Sequence, residues 1–148
     1  MSESASLFAI SPIDGRYARH TKPLAPYFSE AGLIQYRVRI EVEYFVALHQ
    51  LGLPQLPALT EAQVEGLRQV YIGFGGEEAQ AVKDIEKTTN HDVKAVEYFI
   101  KDRLPKLGLE DRAEFIHFGL TSQDINNTAI PLSMAEATAD VILPALQA

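Results

Sequence analysis

Apolar residues recur every three or four positions from about Ser29 to Leu51, so that Leu33, Tyr36, Ile40, Tyr44, Ala47 and Leu51 share one helical face. Gly52 followed by Pro54 closes the segment. Inside it, Arg37 to Tyr44 alternates charged and apolar residues, which is a strand pattern. Length decides for the helix, because the stretch between Gly32 and Gly52 has no Gly or Pro and outruns an ordinary strand. Thr60 opens a second helix with Gln63 three residues on, a capping box in which each side chain satisfies a free backbone N–H. Its apolar face is Val64, Leu67 and Val70 or Tyr71, and Gly73, Gly75 and Gly76 end it.

A short acidic helix is expected from Glu77 to Lys87, followed by the polar stretch Thr88-Thr89-Asn90. Asn90 is a candidate N-cap for a helix with Val93, Val96, Ile100 and Leu104 on one face, stopped by Pro105. Asp111 and Glu114 can cap a short helix ending at Gly119. The last element starts at Thr121, with Asp124 in capping-box position, and runs through a seven-residue repeat of Ile125, Leu132, Ala135, Ala139, Ile142 and Leu146. This is the seam of a bundle helix, and Pro131 should kink it. The chain stops at Ala148 without a glycine C-cap, the pattern of an element cut partway. Residues 1 to 28 read as irregular, because Ser11-Pro12 and Asp14-Gly15 are turn signals and Pro23 and Pro26 forbid a continuous helix. With no convincing strand pair, the fold class is all-α.

Composition narrows the function. Of 148 residues, 47% are hydrophobic and 22% charged, an ordinary globular balance for which no metal or disulfide staple is needed. The absence of cysteine removes thiolate chemistry. Met1 to Leu7 carry no basic, apolar secretion signal, and uninterrupted apolar runs fall short of the ~20 residues of a membrane span, so the expected setting is cytoplasmic, with no membrane. The net charge of -7 argues against nucleic acid as a partner. Against it stands one basic cluster, Arg16, Arg19, His20 and Lys22, able to hold a small anion.

Three polar clusters lie at turns or helix starts: Asp14-Gly15-Arg16-Tyr17, Thr88-Thr89-Asn90-His91-Asp92, and Thr121 to Asn127. Helix N-termini present unpaired N–H groups and a positive dipole end to phosphate or carboxylate. Arg16 adds a planar fork that grips an oxyanion through two bonds. Each has a plainer reading: Arg16 and His91 as surface residues, Asn90 and Thr121 as caps, His117 as a hydrogen-bonded core histidine beside Phe115 and Phe118. Asn126 and Asn127 are harder to dismiss, because amides within an apolar helix need partners. The histidines at 20, 49, 91 and 117 have no metal-ligand spacing.

Ser-Pro-Ile-Asp-Gly-Arg-Tyr at 11 to 17, Thr-Thr-Asn-His-Asp-Val-Lys-Ala-Val-Glu-Tyr-Phe at 88 to 99 and Phe-Ile-His-Phe-Gly-Leu-Thr-Ser-Gln-Asp-Ile-Asn-Asn at 115 to 127 resemble the purine-biosynthetic adenylosuccinate lyases of the fumarase/aspartase superfamily. The resemblance implies an N-terminal helical domain over residues 1–120 and, over 121–148, the truncated start of a central helical-bundle domain. It implies elimination of fumarate from adenylosuccinate, giving AMP, and from succinylaminoimidazole-carboxamide ribotide, without a cofactor. Arg16 and Tyr17 would bind the phosphate and ribose of this small-molecule nucleotide substrate. Asn90, His91 and Asp92 would line the pocket, with Asp92 holding His91, and Thr121 and Ser122 would donate to a succinyl carboxylate. His117 matches a family position near the phosphate. The family's general-acid histidine and general-base serine lie beyond residue 148, and its active sites are shared among subunits of a homotetramer. The chain would then be substrate-binding and inactive alone. Alternatives are a fragment of an argininosuccinate lyase or a fumarase, and a helical interaction module without a ligand.

Overall fold

The computed structural model describes residues 7–148, and every regular element in it is helical. The all-α fold is therefore observed. The expectation of no secretion signal concerns residues that lie almost wholly outside the described ones. Residues 18 to 28 are not irregular: they form α1 (Ala18–Thr21), a 3-10 turn at Lys22–Leu24 and α2 (Ala25–Phe28). Pro23 and Pro26 sit in the first positions of their turns, where a missing N–H costs nothing.

The axis of the molecule is α3 (Glu30–Gln50), whose N-cap Ser29 accepts from the Gly32 amide. A Cβ on Gly32 would lie 2.5 Å from the Pro26 carbonyl oxygen, so glycine lets α2 close onto α3. The helix is confirmed, but its expected face only in part: Tyr36 is buried and Leu33, Ile40 and Tyr44 are half-buried. Leu51 is 69% exposed and Ala47 is exposed, whereas Ile34, Val38, Val42, Phe45 and Val46 are buried. The reason is that α3 is packed on several sides, by α4 (Glu61–Ile72), α5 (Gly76–Thr89), α6 (Asp92–Lys101) and α7 (Ser122–Ala137), so no single stripe marks it.

The Thr60–Gln63 capping box opens α4, and fully buried Leu67 carries it into the core with Phe45, Val82, Phe99, Ile100 and Leu104. Each such side chain contributes about 1.5–3 kcal/mol on burial. In α6 the expected face holds: Val93, Val96 and Ile100 are buried, and Leu104 follows them into the core from a 3-10 turn. Asn90 is not the N-cap of α6. It ends α5 in the left-handed conformation, φ +50°, and His91 takes the cap position instead. Asparagine tolerates that conformation better than most residues, which explains the exchange of roles. The short helix expected before Gly119 is a 3-10 helix, Glu110–Phe115.

The terminal element buries Ile125, Ala129, Ser133 and Ala137 against α3, a spacing of four; of the expected repeat only Ile125 is buried, while Leu132 is half-buried and Ala135, Ala139, Ile142 and Leu146 are exposed. Tyr36 and Arg39 on α3 both donate to Glu136, and Tyr27 donates to Asp140. Pro131 lies within an uninterrupted α7 and is exposed. The irregularity falls later, in a π-turn at Thr138–Ile142 leading to α8 (Leu143–Gln147). Pro144 would meet the carbonyl of Asp140 in a tight α-turn, and the wider π-turn relieves this. Ile130, Met134, Leu143 and Leu146 leave a second apolar face exposed. Ser122–Gln147, with a mean hydropathy of 1.3 in its most apolar window, is long and apolar enough to cross a membrane, which short uninterrupted runs did not suggest.

Candidate functional site

An open cleft of about 380 Å³ lies where the start of α6, the start of α7 and the turn before α7 meet, lined by Thr89, His91, Lys94, Glu97, His117 and Ser122. Two of the three polar clusters meet here. His91 caps α6 by accepting the Lys94 amide at Nδ1, 3.1 Å away. A ring nitrogen that accepts cannot carry a proton, so neutral His91 holds its proton on Nε2. That nitrogen lies 3.3 Å from Ser122 Oγ. The N–H therefore donates to the hydroxyl oxygen, and the Ser122 proton is left free for another acceptor.

Thr121 is differently committed. Its amide and its hydroxyl both donate to Asp124 Oδ2, at 2.7 and 2.8 Å. Those bonds close the expected capping box and hold the Asp124 carboxyl below its usual range, with the backbone bond the largest cause. Of the Thr121–Ser122 pair, only Ser122 keeps a spare donor.

The role expected of Asp92 is not observed. Its carboxylate comes no nearer than 3.6 Å to His91 Nδ1, beyond hydrogen-bond range. It accepts instead from Arg37 at 2.7 Å and from the Val93 amide at 2.8 Å. Burial disfavours its ionised form, but these partners outweigh burial and keep it below the ordinary carboxylate range. Arg37, itself buried in α3, also donates through Nε to Asn126 of α7 at 2.9 Å. One guanidinium thus ties the first turn of α6 to the second turn of α7 and sets the spacing of His91 and Ser122. Asn126 has found the partner that an amide in an apolar helix demands.

His117 has a backbone φ of +62°, a region that costs a non-glycine residue about 1–3 kcal/mol. Its Nδ1 lies 2.5 Å from Oε1 of Glu41, a fully buried carboxylate on α3. Burial pushes the Glu41 carboxyl up, and His117 only partly offsets this. Tyr44, one turn on, donates to the Phe118 carbonyl at 2.8 Å. Glu97 closes the floor of the cleft. Burial opposes its charge, but Lys94 and Lys101, at 2.8 and 2.9 Å, hold its carboxyl below the usual range.

Arg37, Glu41, Lys94 and Glu97 were missed from sequence. The available signal was the spacing of Arg37, Glu41 and Tyr44, which places three polar residues on one face of a helix otherwise rich in apolar ones. Arg16 and Tyr17 are not brought to the cleft. The guanidinium of Arg16 stacks 5.5 Å from the ring centre of Tyr17. The segment that carries them leads to Tyr27, which bonds Asp140 at the far end of the terminal helix. From Ser122 that end is ~27 Å away at the rise of a helix. Asn90 is exposed next to His91. Among the described residues no group of His, Asp and Glu has the arrangement of a metal site.

The sequence model of a family described as Lyase matches residues 15–148. An adenylosuccinate lyase of Dictyostelium discoideum is 53% identical over 146 residues, covering 96% of this chain and 31% of the relative. An adenylosuccinate lyase of Legionella pneumophila (strain Corby) is 45% identical over 143 residues, covering 95% and 31%. One from Escherichia coli (strain K12) is 43% identical over 145 residues, covering 96% and 32%. The chain thus spans about a third of the length of the curated relatives it matches.

Proposed function

The chain belongs to the lyase family that matches residues 15–148, and from that membership we propose that it is the substrate-binding N-terminal part of an adenylosuccinate lyase. The reaction is elimination of fumarate from adenylosuccinate, giving AMP, and from succinylaminoimidazole-carboxamide ribotide. A base removes a proton from the carbon beside a carboxylate, the C–N bond breaks as the C=C bond forms, and an acid protonates the departing nitrogen. Negative charge grows on that carboxylate and must meet donors already in position. The general-acid histidine and general-base serine belong to the remaining two thirds of the protein. Without them the 148 residues alone do not turn over. The division at about residue 120, a cytoplasmic setting and a homotetramer are parts of the same reading.

The observation that carries it is the convergence of His91 and Ser122 from segments thirty residues apart at one cleft, with the Ser122 proton unspent. Ser122 donates to a succinyl carboxylate, His91 holds the serine oxygen, and His117 presents its remaining nitrogen to an anionic group. The N-termini of α6 and α7 add two positive dipole ends beside the cleft. Thr121 contributes through the cap rather than through its own hydroxyl. Asn90 fixes the reversal that brings His91 to the site, and Asp92 acts through Arg37. Arg16 and Tyr17 grip phosphate and ribose in the assembled enzyme, at a site completed by other segments or subunits. Ser122→Ala in the full-length protein tests the reading. Losing this half-buried donor to the ligand should lower kcat/KM by about 5- to 150-fold, equivalent to roughly 1–3 kcal/mol, with Tm unchanged. Unaltered turnover of adenylosuccinate, or a change in Tm alone, would sink it.

A further inference from the structure

Glu41 is the most deeply buried acid among the described residues, it touches the cleft-lining His117, and half of it is unused. It is fully buried in the middle of α3, its Oε1 lies 2.5 Å from His117 Nδ1, and its Oε2 has no hydrogen-bond partner among the described residues. An arrangement selected for stability alone would not leave a buried carboxylate oxygen bare, since apolar residues of similar volume stabilise such positions equally or better. The partner is also unusual. His117 holds a left-handed backbone conformation, which puts its ring between the core and the cleft instead of along the preceding 3-10 helix. One further bond and one turn residue hold the turn: Tyr44 donates to the Phe118 carbonyl, and Gly119, at φ +73°, lets the chain reverse into α7.

We propose that Glu41 is a positioning residue for the ligand site, holding His117 with Nδ1–H bound to the core carboxylate and Nε2 turned to the cleft, where it meets an anionic group of the substrate. With Nδ1 taken as donor, the neutral ring exposes a bare Nε2. When an anion enters, the ring takes a proton from water at Nε2, giving an imidazolium with a carboxylate on one side and the anion on the other. Glu41 is then the buried counter-charge that keeps the ring oriented for a charge-assisted bond at about 2.7–2.9 Å to the ligand oxygen. Only the imidazole touches the ligand; the carboxylate acts through it. The assignment rests on the functional reading above only for the identity of the anion.

The test is Glu41→Met in the full-length protein, a substitution that fills the same space without an acceptor. The expected result is a Tm equal to or above that of the unsubstituted protein, with KM for adenylosuccinate raised roughly tenfold and kcat within about twofold, as when one ground-state contact is lost. Glu41→Gln, which still accepts from Nδ1–H but carries no charge, should recover part of the binding. In a double-mutant cycle with His117→Asn, Glu41→Met should add nothing further, because both act through one contact. An unchanged KM, or additive losses, overturns the proposal. The crystal structure of the Glu41→Met protein decides independently of any activity. A ring that leaves its place between core and cleft supports the assignment, and a ring still there overturns it even if the unsubstituted protein does not cleave adenylosuccinate. Absence of that cleavage would count against the functional reading alone.

Discussion

Replacing Arg37 with methionine removes the brace between α6 and α7 while keeping most of the apolar stem. The guanidinium donates to Asp92 at 2.7 Å and to Asn126 at 2.9 Å, and its own side chain is 8% exposed. A hydrogen bond involving a charged group contributes about 1.5–3 kcal/mol when its partner is left dry. Asp92 is 45% exposed, so water recovers much of what it loses, and about 1 kcal/mol is the fair figure for that arm. Asn126 is half-buried, which adds about another 1–1.5 kcal/mol. The sum, roughly 2–2.5 kcal/mol, corresponds to a Tm drop of about 2–3 °C in a protein about three times the length of this chain. The functional effect should be larger than this loss suggests. Arg37 touches no ligand, but it sets the separation of His91 and Ser122, and a displacement of about 1 Å at a reacting site can cost up to 100-fold. Arg37→Met in the full-length protein should therefore lower kcat/KM by about 10- to 100-fold. Arg37→Lys should recover little, since a point charge reaches one partner but not both. Thermal unfolding and steady-state kinetics on the same preparations measure both quantities. Wild-type kinetics together with that drop in Tm would show that the brace is structural only, and no change in either would refute the geometry.

Two other outcomes are expected, the first from the proposed phosphate site and the second from the structure. Arg16→Lys in the full-length protein should weaken nucleotide binding by roughly 10- to 100-fold, because a bidentate fork is replaced by a point charge; unchanged KM and kcat would remove Arg16 from the phosphate site. For pH, the folded Glu97 carboxyl sits below its ordinary value of 4.5, so its contribution to stability is present above that value and lost as pH falls through the folded one. Glu97→Gln should accordingly flatten the fall in Tm between about pH 5 and pH 3, and an equally steep fall would contradict the linkage.

What the sequence revealed follows burial asymmetry. The face of α6 was legible because one side of it meets the core and the other meets water, so Val93, Val96 and Ile100 stand out at helical spacing. The α3 helix is surrounded, and there the strict alternation from Arg37 to Tyr44 imitated a strand while the true pattern was a polar stripe within an apolar helix. The terminal helix misled in another way. It is apolar on two sides, so the seven-residue repeat picked the exposed side and the four-residue spacing of Ile125, Ala129, Ser133 and Ala137 went unseen. At the site, the polar clusters at 88–92 and 121–127 were visible as helix starts, and they do meet. Which residue caps was not visible, because Asn90 and His91 differ only in which accepts the left-handed turn. The pairing of Asp92 with Arg37 rather than His91 was equally hidden, since it depends on a helix fifty residues earlier.

Two carboxylates on α3 make the division of labour within that helix plain. Glu43 accepts both arms of the Arg68 guanidinium, at 2.8 and 3.0 Å, and the Tyr71 hydroxyl at 2.8 Å, and these bonds hold its carboxyl below the usual range. It is half-exposed, fully partnered, and links α3 to α4. Glu41, two residues earlier and therefore on another face, is dry, half-partnered and pushed up by burial. The first arrangement is what an ion pair that braces two helices requires. The second is costly for stability and is matched by a second costly feature, the left-handed backbone of His117. Both costs fall at one contact between α3 and the cleft-lining turn; the other bare buried atom on α3 among the described residues, His49 Nε2, belongs to a ring that burial keeps neutral and that bonds the Phe45 carbonyl. Strain and desolvation gathered at a single contact, in a helix that elsewhere satisfies its charges, mark that contact as serving the cleft rather than the fold.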